Sequence, residues 1–264
     1  MRRSAALAAS LALALGCAPA LREPPPLRPP SAAPAGADDL LRQADAAWAR
    51  RADPAEARAA QHLYLEAASA DVSRVDGLLG AMRAATYRIE RVQDAAERER
   101  LAVEAVQLGQ WCQRRAPAEA ACGYRLAIAL GQQARERTST AKDALERMVK
   151  LLRASIDADP RLDRGGPHRV LALVLLRAPG WPVGPGDPEM GLAEAQAAVS
   201  LFPDVAENQL ALGEALVANG LEAEGRAALQ RAVELAASDA AAGDPDAPRT
   251  REDALAALGR GDRR

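Results

Sequence analysis

The sequence is poor in the residues that build sheets and that mark catalytic chemistry. Aromatic residues make up 3% of it, Phe occurs once, and histidine occurs only as His62 and His168. β-Branched residues are sparse and no segment alternates apolar and polar side chains over a strand's length, so no sheet is expected. Lysine is confined to Lys142 and Lys150, acidic and basic residues are interspersed, and the formal net charge is −2. With no basic block, nucleic-acid binding has no support. HExxH, Gly-x-Ser-x-Gly, a phosphate loop and a dinucleotide GxGxxG after a strand are all missing, so neither an enzyme nor a cofactor is expected. The abundant carboxylates read as solvated helix faces. Neither histidine forms a ligand cluster with the cysteines, which argues against a metal. Asp157, Asp159 and Asp163 resemble a calcium loop only superficially, because Arg161 and Leu162 stand where a ligand and a Gly are needed.

A run long enough to cross a membrane is lacking too. The start, MRRSAALAASLALALGC, has Arg2 and Arg3, then an apolar stretch from Ala5 to Leu15 of about 11 residues, against the roughly 20 a spanning helix needs. Charged start, short apolar stretch and small Gly16 are the parts of a secretory signal in order. Cleavage before Cys17 resembles the lipobox of bacterial lipoproteins, with Leu15 and Gly16 in place and Ala14 where Leu is commoner. The reading is a signal peptide over 1–16, a lipidated Cys17, and a Pro- and Ala-rich extended tether over 17–36. An ordinary secretory peptide cut near Ala18 to Ala20, discarding Cys17, is the alternative. Ala18 lacks the acidic character that retains some lipoproteins at the inner membrane, which favours the periplasmic side of the outer membrane.

The other two cysteines, Cys112 and Cys122, flank QRRAPAEAA, where Pro117 marks a turn between two helical runs. In an oxidising compartment they are expected to pair across a helical hairpin, with two separate buried thiols as the alternative.

What the chain has in quantity is Ala, Leu, Glu and Arg, which favour helix. A period near 34 residues runs through it. The clearest unit is NQLALGEALVANG followed by LEAEGRAALQRAVEL, with Leu212, Gly213 and Leu216 on a first helix, Gly220 in the turn, and Leu229 and Ala232 on a second. Ala195, Ala198 and Pro203 repeat the spacing, as do Met148, Leu152, Ser155 and Pro160. At the front, Leu41, Ala44 and Trp48, then Ala60, Tyr64 and Ala67, step along helix faces.

The fold class expected is all-α: a tetratricopeptide-like solenoid of helical hairpins over residues 37–238. Five pairs are predicted, 37–51 with 54–70, 73–88 with 91–114, 118–135 with 139–158, 166–178 with 188–201, and 205–218 with 221–237. Residues 239–250 are expected to be a mobile connection, Glu252 to Leu258 a short cap, and 239–264 as a whole a flexible connection and tail.

One stretch breaks the pattern. DRGGPHRVLALVLLRAPGWPVGPGD, from Asp163 to Asp187, interrupts the repeat with Gly165, Gly166 and Pro167, and later with Pro179, Gly180, Trp181, Pro182, Gly184 and Gly186. Long Gly/Pro loops in compact folds often carry function. Two readings stay open. Either Trp181 and Pro182 fill the seam between helix pairs and His168 caps a helix, or the loop borders a ligand cleft with Trp181 as apolar wall and Arg169 as anion partner.

The same region, with GYRLAIALGQ from Gly123 and GDPEMGLAEAQAAVSLFPDVAENQLALGEAL, resembles the T-component lipoproteins of TRAP transporter systems. The resemblance covers about 37–260 and is strongest over 120–235; its matching positions are Gly165, Gly166, His168, Arg169, Pro179, Gly180, Gly186 and Asp187. It implies a lipid-anchored accessory protein that associates with a periplasmic solute-binding subunit or another envelope protein, and a general envelope scaffold is the alternative. Homo-oligomers are compatible with either. A Cys17→Ser variant is expected to lose acyl labelling and become soluble; retention of label in that variant would refute the lipobox.

Overall fold

A computed structural model describes residues 18–27 and 36–261. The signal region, Cys17, residues 28–35 of the Pro-rich stretch and the last three residues lie outside it. Among the described residues eleven α-helices follow in order: α1 Ala37–Ala49, α2 Pro54–Ala70, α3 Asp76–Ile89, α4 Ala95–Arg115, α5 Ala120–Glu136, α6 Ala141–Ala158, α7 Gly166–Arg177, α8 Pro188–Leu201, α9 Ala206–Ala218, α10 Glu222–Ala241 and α11 Ala247–Gly261. The first ten form the five expected hairpins.

Caps set several of the starts. Asp53 accepts from the Ala55 amide ahead of Pro54, and Asp94 accepts from the Glu97 amide, which holds α4 to a later start than the periodicity suggested. Asp187 accepts from Met190 N–H at 3.0 Å and starts α8 the same way.

Packing relies on small residues. Ala44, Ala60, Ala81, Ala102, Ala105, Ala127 and Ala129 are fully enclosed, so helices approach closely around larger fillers such as Leu78, Leu101 and Leu130. Gly80 marks an especially close approach, since a Cβ there would run into the Tyr64 ring. One apolar core runs continuously from Ala20 to Leu175. A much thinner one, around Ala172, Ala195 and Ala215, serves the fourth and fifth pairs. Cys112 and Cys122 form a disulfide across the α4–α5 turn, with Cα atoms 5.4 Å apart and both side chains buried. Closing a loop that short contributes about 2–3 kcal/mol through the unfolded chain.

Successive helices joined by short turns pack antiparallel, so their connections alternate between two edges of the stack. The connections inside pairs (50–53, 90–94, 137–140, 178–187 and 219–221) share one edge, here called upper. Those between pairs share the lower edge.

Two sequence expectations are corrected. Residues 239–250 are not a mobile connection: α10 runs to Ala241, a turn with Gly243 at φ 91° follows, and α11 is longer than the expected cap. The reason lies in charges and alanines far apart in sequence. Asp246 accepts from Arg51 at 3.0 Å and from Arg91 at 2.8 Å, Arg249 donates to the Glu90 carbonyl at 3.0 Å, and Ala247 and Ala254 are buried. The superhelix winds far enough to bring the lower edge of the last pair onto the upper edge of the first two.

The second correction concerns the tether, whose residues 18–27 lie against the solenoid. Ala18 N–H donates to the Ser139 carbonyl at 3.0 Å and Ala20 N–H to the Asp143 carboxylate at 2.8 Å, at the start of α6. The indole N–H of Trp111, late in α4, donates to the Pro25 carbonyl, and Glu23 pairs with Arg114. Ala20 is buried, and Leu21 and Leu27 pack on the core. The composition had hidden the three apolar residues that make this contact.

Asp246→Asn is expected to cost roughly 1 kcal/mol, a fall in melting midpoint of about 2–4 °C, and the loss should shrink in high salt. An unchanged midpoint at low salt would mean that the meeting of the two ends adds no stability.

Candidate functional site

Three consecutive residues at the entry to α7 take left-handed backbone: Asp163 at φ 48°, Arg164 at φ 55° and Gly165 at φ 79°. Non-glycine residues rarely adopt this region, and where they do the surroundings hold them there. Here the holding groups are visible. The hydroxyl of buried Tyr124 donates to Asp163 Oδ2 at 2.7 Å, and Arg125 and Arg169 stand 3.6 and 3.8 Å from the same carboxylate. Burial first, with the Asp163 hydrogen bond adding to it, pushes the Tyr124 pKa far above the ordinary phenol value. Gly166 allows that contact, since a Cβ there would strike the Tyr124 hydroxyl.

The charged side chains that follow turn inward. His168 Nδ1 meets Glu194 Oε2 of α8 at 2.6 Å, and Arg169 donates to Asn208 Oδ1 of α9 at 2.6 Å. Asn208 is 0% exposed, and its amide also donates to the carbonyls of Arg164, Ala198 and Phe202 at 3.1–3.2 Å. Gly165, Gly166, His168 and Arg169 therefore join the third, fourth and fifth pairs. They do not edge an open cleft, and His168 is not a helix cap.

The other half of the stretch forms a pinched loop. Gly186 N–H donates to the Pro179 carbonyl at 2.9 Å, Gly180 and Gly186 face each other in a β-bridge, and Asp187 N–H donates to the Leu175 carbonyl. A Cβ on Gly186 would collide with the Ala178 carbonyl, so the neck closes only with glycine there. Trp181 at the tip is 91% exposed. It neither fills a seam nor walls a cleft, because the closed neck holds the intervening residues away from the body.

A concavity does exist, on the inner face of the first three pairs. A groove of about 410 Å³ is lined by Leu41 and Asp45 of α1, Tyr64, Leu79 and Arg83, and Tyr124 and Arg125 of α5. The Tyr64 hydroxyl donates to Asp45 at 2.5 Å and accepts from Arg83 at 2.9 Å. Its pKa is pushed up to about 12, by burial first and then by the Asp45 bond. The Arg83 guanidinium lies 4.6 Å from the Trp48 ring, and its enclosed Nε has no partner. Among the described residues no carboxylate stands within ion-pair distance of Arg83. The Arg83 cation is thus held by the Trp48 ring and the Tyr64 phenol, whose hydroxyl in turn links it to the Asp45 carboxylate.

The sequence reading passed over Arg83 and Asn208, although Asn208 had a visible signal. With Ala211 and Ala215 it steps three and four residues along a buried face, where a lone amide needs partners. Arg83 had none, because its surroundings come from three helices. Among the described residues no cluster of three metal-binding side chains occurs, and no helix is long and apolar enough to cross a membrane.

The fold is that of tetratricopeptide-repeat proteins. The crystal structure of TTC0263, a thermophilic TPR protein in Thermus thermophilus, aligns with a TM-score of 0.60 at 20% identity, over 83% of this chain and 99% of that one. MamA, residues 41 to the end, from Desulfovibrio magneticus RS-1, aligns at 0.51 and 17% identity, over 76% and 96%. No protein-family model and no curated protein matches the sequence.

Asn208→Ala leaves three carbonyls and the Arg169 guanidinium short of a partner and is expected to cost about 1–3 kcal/mol. Trp181→Ala should leave the melting midpoint where it is. Equal midpoints for the two variants in thermal denaturation would contradict the roles assigned to these residues.

Proposed function

We propose that the protein is a non-enzymatic, lipid-anchored scaffold at the periplasmic face of a bacterial membrane, which takes an acidic or carboxylate-bearing segment of a partner protein into the groove of its first three pairs. Helical solenoids use such concave faces for extended or helical peptides. The observation that carries the reading is Arg83, a partly enclosed cation with unused donors and no carboxylate partner among the described residues, on the floor of a groove walled by Tyr64 and Tyr124. The signal region and Cys17 supply the anchor, and the outer membrane is the favoured site.

A narrower reading makes the partner the solute-binding subunit of a TRAP-type uptake system. It is supported by the sequence resemblance over 120–235, whose matching residues serve mainly to join helix pairs.

The two readings share one experiment. Crosslinking in intact cells, purification and peptide mass analysis should recover a specific envelope partner from the wild-type chain. Recovery should fall about tenfold or more in Arg83→Ala, the scale of one lost charged hydrogen bond, and persist in Trp181→Ala. If Arg83→Ala folds and recovers the same partner undiminished, the groove is not the site. If the partner is anything other than a solute-binding protein, the transport reading falls and the scaffold reading stands.

A further inference from the structure

Among the described residues six large apolar side chains are markedly exposed, and four of them lie at the upper-edge connections of the fourth and fifth pairs. Trp181 is 91% exposed and Val183 65% on the loop between α7 and α8, Met190 is 42% exposed at the start of α8, and Leu221 is 40% exposed between α9 and α10. Asn219 donates its side-chain amide to the Pro188 carbonyl at 2.9 Å, which ties the two connections together. Apolar groups gathered on one edge mark a contact surface, whereas scattered ones do not.

The chain's own start identifies what this edge meets. Ala18 donates its backbone N–H to Ser139, in the upper-edge connection of the third pair, next to the pair that carries Trp181. Cys17 directly precedes Ala18 in the sequence. A lipid on Cys17 would therefore leave the body at the same edge, one helix pair from the exposed cluster. Tryptophan favours the boundary between headgroups and acyl chains, and shallow insertion of apolar side chains adds to a lipid anchor.

We propose that the upper edge of the third to fifth pairs is the membrane-facing surface, and that Trp181, Val183, Met190 and Leu221 insert into the bilayer interface beside the acyl chains of Cys17. This rests on the lipid anchor proposed above. Glu189 and Glu222 directly neighbour Met190 and Leu221 in the sequence, so the insertion draws on apolar contact and gains nothing from anionic lipid. The groove then opens alongside the membrane, on a body held at the surface.

The test uses the mature chain from residue 17, Cys17→Ser, with an N-terminal hexahistidine bound to nickel-chelating lipid in phosphatidylcholine vesicles. This capture replaces the acyl chains, so insertion is read whether or not Cys17 is lipidated; acylation of the natural chain is read separately by mass spectrometry. On vesicles of brominated lipid, tryptophan emission should fall by the contribution that Trp181→Ala removes, shift to shorter wavelength on unbrominated vesicles, and do both at high salt. The Trp181→Ala chain should show neither change. Emission unaffected by brominated lipid, or quenched equally in both chains, overturns the proposal and leaves the edge to a protein.

Discussion

Helices whose contact faces carry alanine approach each other more closely than helices faced with leucine, and close approach leaves little room for error in the residues around it. In this chain that constraint governs the rest. Where larger side chains fill the gaps, as in the first three pairs, the core is continuous, and buried polar side chains such as Gln132, whose amide donates to the Thr86 carbonyl, are set into it. From α7 onward the core thins to Ala172, Ala195 and Ala215, and a buried amide takes over part of the cohesion. Asn208 binds one side chain and three carbonyls from the segments on either side of it. Hydrogen bonds fix distance and angle, which apolar contact does not, so the polar hub sets how the fifth pair sits on the fourth.

The same logic explains the break in the repeat at 163–187. Its entry is a left-handed turn held by Tyr124 and Asp163, and its exit is a loop pinched at Gly186. Gly166 and Gly186 each sit where a side chain would strike something specific. The segment is thus mostly joinery, and the residue that is free of it, Trp181, is presented outward.

The all-α hairpin class and the pairs of helices were legible in the sequence because they depend on local periodicity, which Leu212, Leu216 and Leu229 or Met148 and Leu152 display directly. What could not be read were contacts between residues distant in sequence. Asp246 looked like part of a polar connection until Arg51 and Arg91 came to meet it, and Leu21 and Leu27 looked too few to matter in a Pro-rich stretch. The groove was illegible for the same reason: Trp48, Tyr64 and Arg83 lie on three helices, and only the fold brings them together. Arg169 was singled out from the sequence, but the partner that defines its role, Asn208, lies 39 residues away.

An open solenoid is a spring, since small rotations between neighbouring repeats add up and let the concave face widen or narrow. Asp246 and its two arginines join the last coil to the first, and a spring whose ends are clasped has lost its softest motion. The clasp is partly electrostatic, so its hold weakens as the ionic strength around it rises.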